Sequence, residues 1–119
     1  MAVAAAGADD PQVTGGLFNG RAWTHMNHQE KIGYIKGLND GILAATDAKY
    51  QATKTNALFG NSTYGVIIGG LDDFYSDPAN LQIPMMMGMW YFQNKVNGAT
   101  PEELTKELAQ FRKYPAAAQ

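Results

Sequence analysis

Residues 83–92 read IPMMMGMWYF, and this segment constrains the fold more than any other. It is the longest apolar run of the 119-residue chain, and no charged residue occurs in positions 78–94. Pro84 suits the first turn of a helix, where its missing N–H leaves no hydrogen bond unmade. The sequence therefore predicts a helix from Met85 to about Asn97. Because this helix has no polar face, it must be central in the fold or covered by a partner.

The same segment carries the strongest indication of a binding surface. Methionine side chains pack adaptably and are over-used at surfaces that bind other proteins. Two interpretations stay open: a central core helix, or a helix with one face docked on another chain. In the second case the partner-binding residues are predicted to be Met85, Met86, Met89, Trp90 and Phe92, together with Gly33 and Gly37 of an earlier helix.

Three further main helices are predicted around this segment, over about 28–50, 64–77 and 101–114, because apolar residues recur there at three- and four-residue spacing. Two of these helices start with a capping-box pattern, Asn27 with Glu30 and Thr100 with Glu103. Thr63 is predicted to cap the third.

Glycines recur at every fourth position of the first predicted helix. Gly33, Gly37 and Gly41 lie on one face, and each costs up to about 1 kcal/mol relative to alanine in a helix interior. Such a stripe predicts a smooth groove where another backbone comes close. The alternative is a bend or an early end of the helix near Gly41.

The fold class predicted from these patterns is all-α, a compact bundle of four main helices with a flexible N-terminal lead-in. The length is typical of one domain, so we expect a lead-in over 1–20, a helical domain over 21–115 and a tail over 116–119. Trp23 is expected to anchor the lead-in on the core. No strand is predicted. Hydrophobic residues make up 45% and charged residues 17% of the chain, which argues against disorder.

Composition also narrows the function. The absence of cysteine excludes a disulfide scaffold, a thiolate metal site and a cysteine nucleophile. A net charge of -2 argues against a nucleic-acid partner. The apolar run is about half the length that a membrane-spanning helix needs, so no membrane span is expected. His25 and His28 are interpreted as surface or capping residues, and no metal site or cofactor is predicted.

Three polar residues are predicted to have structural roles: Asp40, Asp77 and Asn80. Asp40 either accepts hydrogen bonds from free backbone amides of the loop before the apolar helix or faces solvent. Asp72, Asp73 and Asp77 form an acidic cluster, which is a solvated patch, a cap for a neighbouring helix or a catalytic site of paired carboxylates. No catalytic residue is assigned, and the protein is expected not to be an enzyme.

Four elements of the sequence together resemble a known group of proteins: Trp23, residues 34–41 (YIKGLNDG), residues 70–80 (GLDDFYSDPAN) and residues 83–84 (IP). This order is similar to small uncharacterised exported bacterial helical proteins. It is more distantly similar to periplasmic immunity proteins of type VI secretion, which usually carry disulfides. The resemblance covers residues 23–112 and implies an all-helical fold without catalytic residues.

The function expected from the residues and the resemblance is a non-enzymatic protein of the bacterial envelope, immunity-like, that binds a protein partner or self-associates. The alternatives are a structural accessory subunit of a larger assembly and a small carboxylate-dependent hydrolase. The resemblance implies a periplasmic or secreted location, and the small residues of the first ten positions are typical of the region around a signal-peptidase site. A cytoplasmic location stays open.

Overall fold

The computed structural model of the chain describes residues 10–45 and 62–114. The helices are α1 (Gly20–His25), α2 (His28–Ala45), α3 (Tyr64–Phe74), α4 (Met85–Val96) and α5 (Pro101–Arg112), with a short 3₁₀ turn at Pro78–Asn80. Two short strands precede them, β1 (Val13–Thr14) and β2 (Leu17–Phe18). The prediction of an all-α bundle of four main helices is confirmed, and α2 to α5 are those helices. The predictions for residues 1–9, 46–50 and 115–119 lie outside the described residues.

The strands form an antiparallel hairpin, in which Val13 pairs with Phe18 and Thr14 with Leu17. Gly15 and Gly16 connect them with φ angles of 56° and 84°. This left-handed pair of residues is what a tight two-residue hairpin turn needs. The prediction of no strand was wrong here, because two-residue strands are too short to show an alternating pattern.

Asn19 joins the hairpin to the helical bundle. Its buried side-chain amide donates to Thr14 Oγ1 at 2.9 Å and to the Pro11 carbonyl at 3.0 Å. Its side-chain oxygen caps α1 by accepting from the backbone N–H of Arg21 at 2.9 Å. Residues 10–20, which sequence analysis assigned to the lead-in, are therefore tied to α1 by hydrogen bonds.

Trp23 of α1 lies fully buried in the core, and its expected role as an anchor is confirmed. The indole N–H donates to Asp72 Oδ1 of α3 at 2.8 Å. The Lys31 ammonium of α2 binds the same carboxylate oxygen at 2.8 Å and lies 5.0 Å from the centre of the indole ring. One buried aromatic residue thus connects α1, α2 and α3.

Helices α3 and α4 pack in close contact. The ring of Phe92 lies directly on Gly70 and occupies the place that a Cβ would take. At the other end, a Cβ on Gly88 would lie 2.7 Å from the hydroxyl of Tyr75. From the first pair to the second, the residue number rises from 70 to 75 in the α3 segment and falls from 92 to 88 in α4, so the two helices pack antiparallel.

Tyr75 fixes the entry into α4. Its hydroxyl donates to the Ile83 carbonyl at 2.9 Å, and burial raises the pKa of Tyr75 well above its ordinary value, so that the hydroxyl keeps its proton. Pro84 is the N-cap residue of α4, one position before the first helical turn in which it was predicted.

The last helix packs on α4 through its amphipathic face. Asn94 of α4 donates to Glu107 Oε2 of α5 at 2.6 Å. The capping box predicted for Thr100 and Glu103 is present. The Thr100 backbone N–H that donates to Glu103 lowers the pKa of that carboxyl.

Within the described ranges, none of the helices combines the length and the apolar character that crossing a membrane requires.

Two glycine substitutions test the packing of α3 on α4. Gly88→Ala is expected to lower the free energy of unfolding by about 1–3 kcal/mol, because the new methyl group overpacks the contact with the buried Tyr75. Gly37→Ala is the matched control: no described atom lies within 4 Å of its Cβ, so it should gain about 0.5–1 kcal/mol from helix propensity. Urea unfolding followed by circular dichroism measures both. A Gly88→Ala protein as stable as wild type would contradict the contact.

Candidate functional site

The apolar helix α4 has a buried inner face. Met85 and Met89 are fully buried, and Gly88 lies between them against α3. Both methionines were predicted to bind a partner, but the structure places them in the core of this chain. They are therefore removed from any docking surface of the folded protein.

A different side of α4 carries two exposed apolar residues, Met86 and Trp90, which we call the outer face. Met86 is 37% and Trp90 54% exposed. They are four residues apart and so are neighbours on the helix surface. Tryptophan usually buries most of its large surface, so a Trp that is half exposed is informative.

Phe92 lies four residues after Gly88, on the same side of α4 and at the edge of its inner face. Its ring rests on Gly70 of α3 and lines a cleft between α3, α4 and α5. The contact with Gly70 requires a glycine, because the ring occupies the place of a Cβ.

Gly33 and Gly37 lie on the exposed side of α2. A Cβ at either position would meet no described atom within 4 Å. Within the described residues no other backbone packs on this stripe, so it has no role in packing the bundle there. α2 also continues as a helix past Gly41 to Ala45, which excludes an end of the helix at Gly41.

Asp40 faces solvent. Its carboxylate accepts from the Lys36 ammonium at 2.8 Å, and both side chains are more than half exposed. The hydrogen bond and the charge of Asp40 raise the pKa of Lys36. Of the two alternatives for Asp40, the structure shows the solvent-facing one, with a partner on its own helix.

Asp77 and Asn80 hold α5 against the rest of the bundle. Asp77 caps the 3₁₀ turn by accepting from the Ala79 N–H at 2.9 Å, and it accepts from Arg112 Nη2 at 3.2 Å. Asn80 is only 5% exposed; its amide donates to the Phe74 carbonyl at 2.8 Å, and its oxygen accepts from Arg112 Nε at 2.9 Å. Arg112 is thereby fixed by two side chains from the connection between α3 and α4.

The three carboxylates of the acidic cluster have different partners. Asp72 accepts from Trp23 and Lys31, and Asp77 accepts from Arg112. Asp73 has no ion-pair partner among the described residues and lines the cleft. Two of the three carboxylates therefore have structural partners.

The two histidines do not form a metal pair. His25 Nδ1 lies 2.6 Å from the Arg21 carbonyl within α1, whereas His28 starts α2. The described part of the chain contains no group of three His, Cys, Asp or Glu side chains that could hold a metal ion.

The cleft between α3, α4 and α5 has a volume of about 490 Å³, which is within the range of small-molecule pockets. Aromatic and aliphatic side chains form most of its wall, and Asn80 and four charged residues supply its polar groups. The apolar lining residues are Phe74, Tyr91, Phe92, Val96 and Leu108, and the charged and amide residues are Asp73, Asp77, Asn80, Lys95 and Arg112.

Sequence analysis named Phe92, Asp77 and Asn80 for separate reasons, and the structure brings all three into this one cleft. It missed the cleft itself and the role of Arg112. Asn80 and Arg112 are far apart in the sequence, and no spacing rule connects them. The one sequence feature that pointed to Arg112 was the basic C-terminal end of the last predicted helix, and this was interpreted only as favourable for the helix dipole.

Fold and geometry define a small helical-bundle protein with an exposed apolar face on α4 and an amphipathic cleft. No family model, curated protein or solved structure matches the chain.

Paired methionine substitutions test the two faces of α4. Met86→Glu should change the free energy of unfolding by less than about 0.5 kcal/mol, because the side chain is exposed. Met89→Glu should lower it by more than about 4 kcal/mol, because it buries a carboxyl group without partners. Thermal unfolding measures both, and Met89→Leu serves as the size-matched control. Equal stabilities of the two glutamate variants would show that the assignment of faces is wrong.

Proposed function

We propose that this protein is a non-enzymatic binding protein of the bacterial envelope that docks a protein partner, or a second copy of itself, through the outer face of α4. The observation that carries the proposal is the exposure of Met86 and Trp90 on a helix whose other side builds the core. The envelope location rests on the resemblance to exported bacterial helical proteins.

The chemistry of the outer face is that of an interface centre. Tryptophan is among the residues that contribute most binding energy in protein interfaces, and methionine is enriched there. The inner face of α4 fixes the helix backbone through Met85 and Met89. Trp90 is therefore presented from a rigid support, which reduces the entropy lost on docking.

A binding role is supported by what the acidic cluster does. The carboxylates of Asp72 and Asp77 accept hydrogen bonds from Trp23, Lys31 and Arg112, which join different helices. Carboxylates committed to such contacts serve the fold. This arrangement favours a binding protein over a hydrolase that uses the cluster.

A structural subunit of a larger assembly is the second candidate. Apolar exposure is not confined to α4: Phe18 of the hairpin is 50% and Val66 of α3 54% exposed. Neighbours on several sides would cover such residues, as in an assembly with more than one interface.

Site-specific photo-cross-linking tests the proposal in the producing bacterium. A photoreactive residue placed at position 86 should give one discrete cross-linked product, a homodimer or a heterodimer with a single protein, because partner atoms cover the outer face. The same residue at position 106, on the exposed side of α5, is the control and should give no such product.

Substitution of the neighbouring tryptophan completes the test. Trp90→Glu should abolish the cross-link from position 86, because a charge at an interface centre opposes docking. Asp73→Asn should leave it unchanged, since Asp73 lies in the cleft. Products of equal yield from positions 86 and 106 would overturn the docking proposal. Discrete products from several separate faces would favour the assembly subunit.

A further inference from the structure

The cleft is a second site, distinct from the outer face of α4. Its apolar wall comes from all three helices that surround it. The rings of Phe74 and Tyr91 lie with their centres 5.0 Å apart, and Phe92 and Leu108 also line the cleft. Such a wall is suited to a compact aromatic or branched aliphatic group.

The guanidinium of Arg112 is held in place at this cleft. Its Nε donates to Asn80 at 2.9 Å and its Nη2 to Asp77 at 3.2 Å. Asn80 is buried and is itself fixed by its hydrogen bond to the Phe74 carbonyl. These two bonds occupy one edge of the guanidinium, whereas the edge formed by Nη1 and Nη2 keeps N–H groups without a partner among the described residues.

A guanidinium edge with two parallel N–H groups matches the two oxygens of a carboxylate. The Arg112 side chain is 37% exposed, so a ligand can reach it. Because Asn80 and Asp77 orient it in advance, little side-chain entropy remains to be lost on binding.

The charged residues around Arg112 determine which net charge of a ligand the cleft favours. Asp77 neutralises part of the charge on Arg112, while Lys95 lines the cleft with no ion-pair partner among the described residues. Lys95 therefore adds a second attraction for an anion. Asp73 opposes it, so a ligand with two negative charges is disfavoured relative to one with a single charge.

We propose that the cleft binds a small monocarboxylate with a compact apolar body. The carboxylate pairs with Arg112 and is attracted by Lys95, and the apolar body packs on Phe74, Tyr91 and Leu108. This inference does not rest on the docking role of α4, because no residue of the outer face lines the cleft.

Calorimetric titration with phenylpropionate tests the proposal, with phenylpropanol as the neutral ligand of similar size. Wild-type protein should bind the carboxylate with one saturable site and at least about tenfold more tightly than the alcohol, since charge-assisted hydrogen bonds are lost with the alcohol. Failure of phenylpropionate to saturate the protein at millimolar concentration, or equal affinities for the two probes, would overturn the proposal.

Three variants locate the binding. Lys95→Gln should weaken phenylpropionate binding by about a few-fold, because it removes one attractive charge. Arg112→Lys should weaken it by about tenfold, because lysine cannot form the bidentate pair with the carboxylate. Lys113→Gln removes the same charge from the residue next to Arg112, does not line the cleft, and should bind as wild type. Because Arg112 also holds α5, its variant is compared only at temperatures where it is folded. Unchanged affinity in both Lys95→Gln and Arg112→Lys would contradict the site.

Asp73→Asn distinguishes this ligand class from a zwitterion. If the ligand is a monocarboxylate, removing the opposing charge should strengthen phenylpropionate binding. If Asp73 instead holds an ammonium group, phenylalanine should bind wild type more tightly than phenylpropionate does, and Asp73→Asn should weaken phenylalanine binding. That second pattern would overturn the monocarboxylate proposal.

Discussion

The close contact of α3 with α4 positions the other parts of the bundle. Two glycines, Gly70 and Gly88, let aromatic rings from the opposite helix rest where a side chain would otherwise be. Tyr75, one of those rings, also fixes the chain before α4 through its bond to Ile83. The contact therefore sets both the distance between the helices and the rotation of α4 about its axis.

That rotation decides what each side chain of α4 does. Met85 and Met89 turn inward, Met86 and Trp90 turn outward, and Phe92 turns toward the cleft. A rotation of α4 by one residue position would bring Met86 and Trp90 to the buried places of Met85 and Met89. The outer face of α4 and the cleft both result from the packing of α3 on α4, although they are proposed to bind different partners.

Local signals made much of the fold predictable from the sequence. The capping pairs Asn27 with Glu30 and Thr100 with Glu103 are present as their spacing predicts, since a capping box needs only residues within one turn. Thr63 likewise caps α3. The predicted ends were less accurate: α3 ends at Phe74 and α5 at Arg112, earlier than the prolines at positions 78 and 115 indicated.

The candidate site was far less predictable. A helix that is apolar on every side carries no periodic signal for its orientation, so sequence could not separate Met86 from Met89. The cleft depends on side chains from three helices, and the link between Asn80 and Arg112 exists only after they pack. The two-residue strands of the hairpin are too short to show a pattern, and the glycine stripe of α2 packs on no described backbone.

Helix α4 is divided between a buried and an exposed face, and methionine oxidation reports this division residue by residue. The folded protein is treated with dilute hydrogen peroxide, and sulfoxide at each methionine is followed in time by fragment mass spectrometry. We expect rapid oxidation of Met86 and protection of Met85 and Met89 until the protein is unfolded. Oxidation of Met85 or Met89 as fast as that of Met86 in the folded protein would contradict this division.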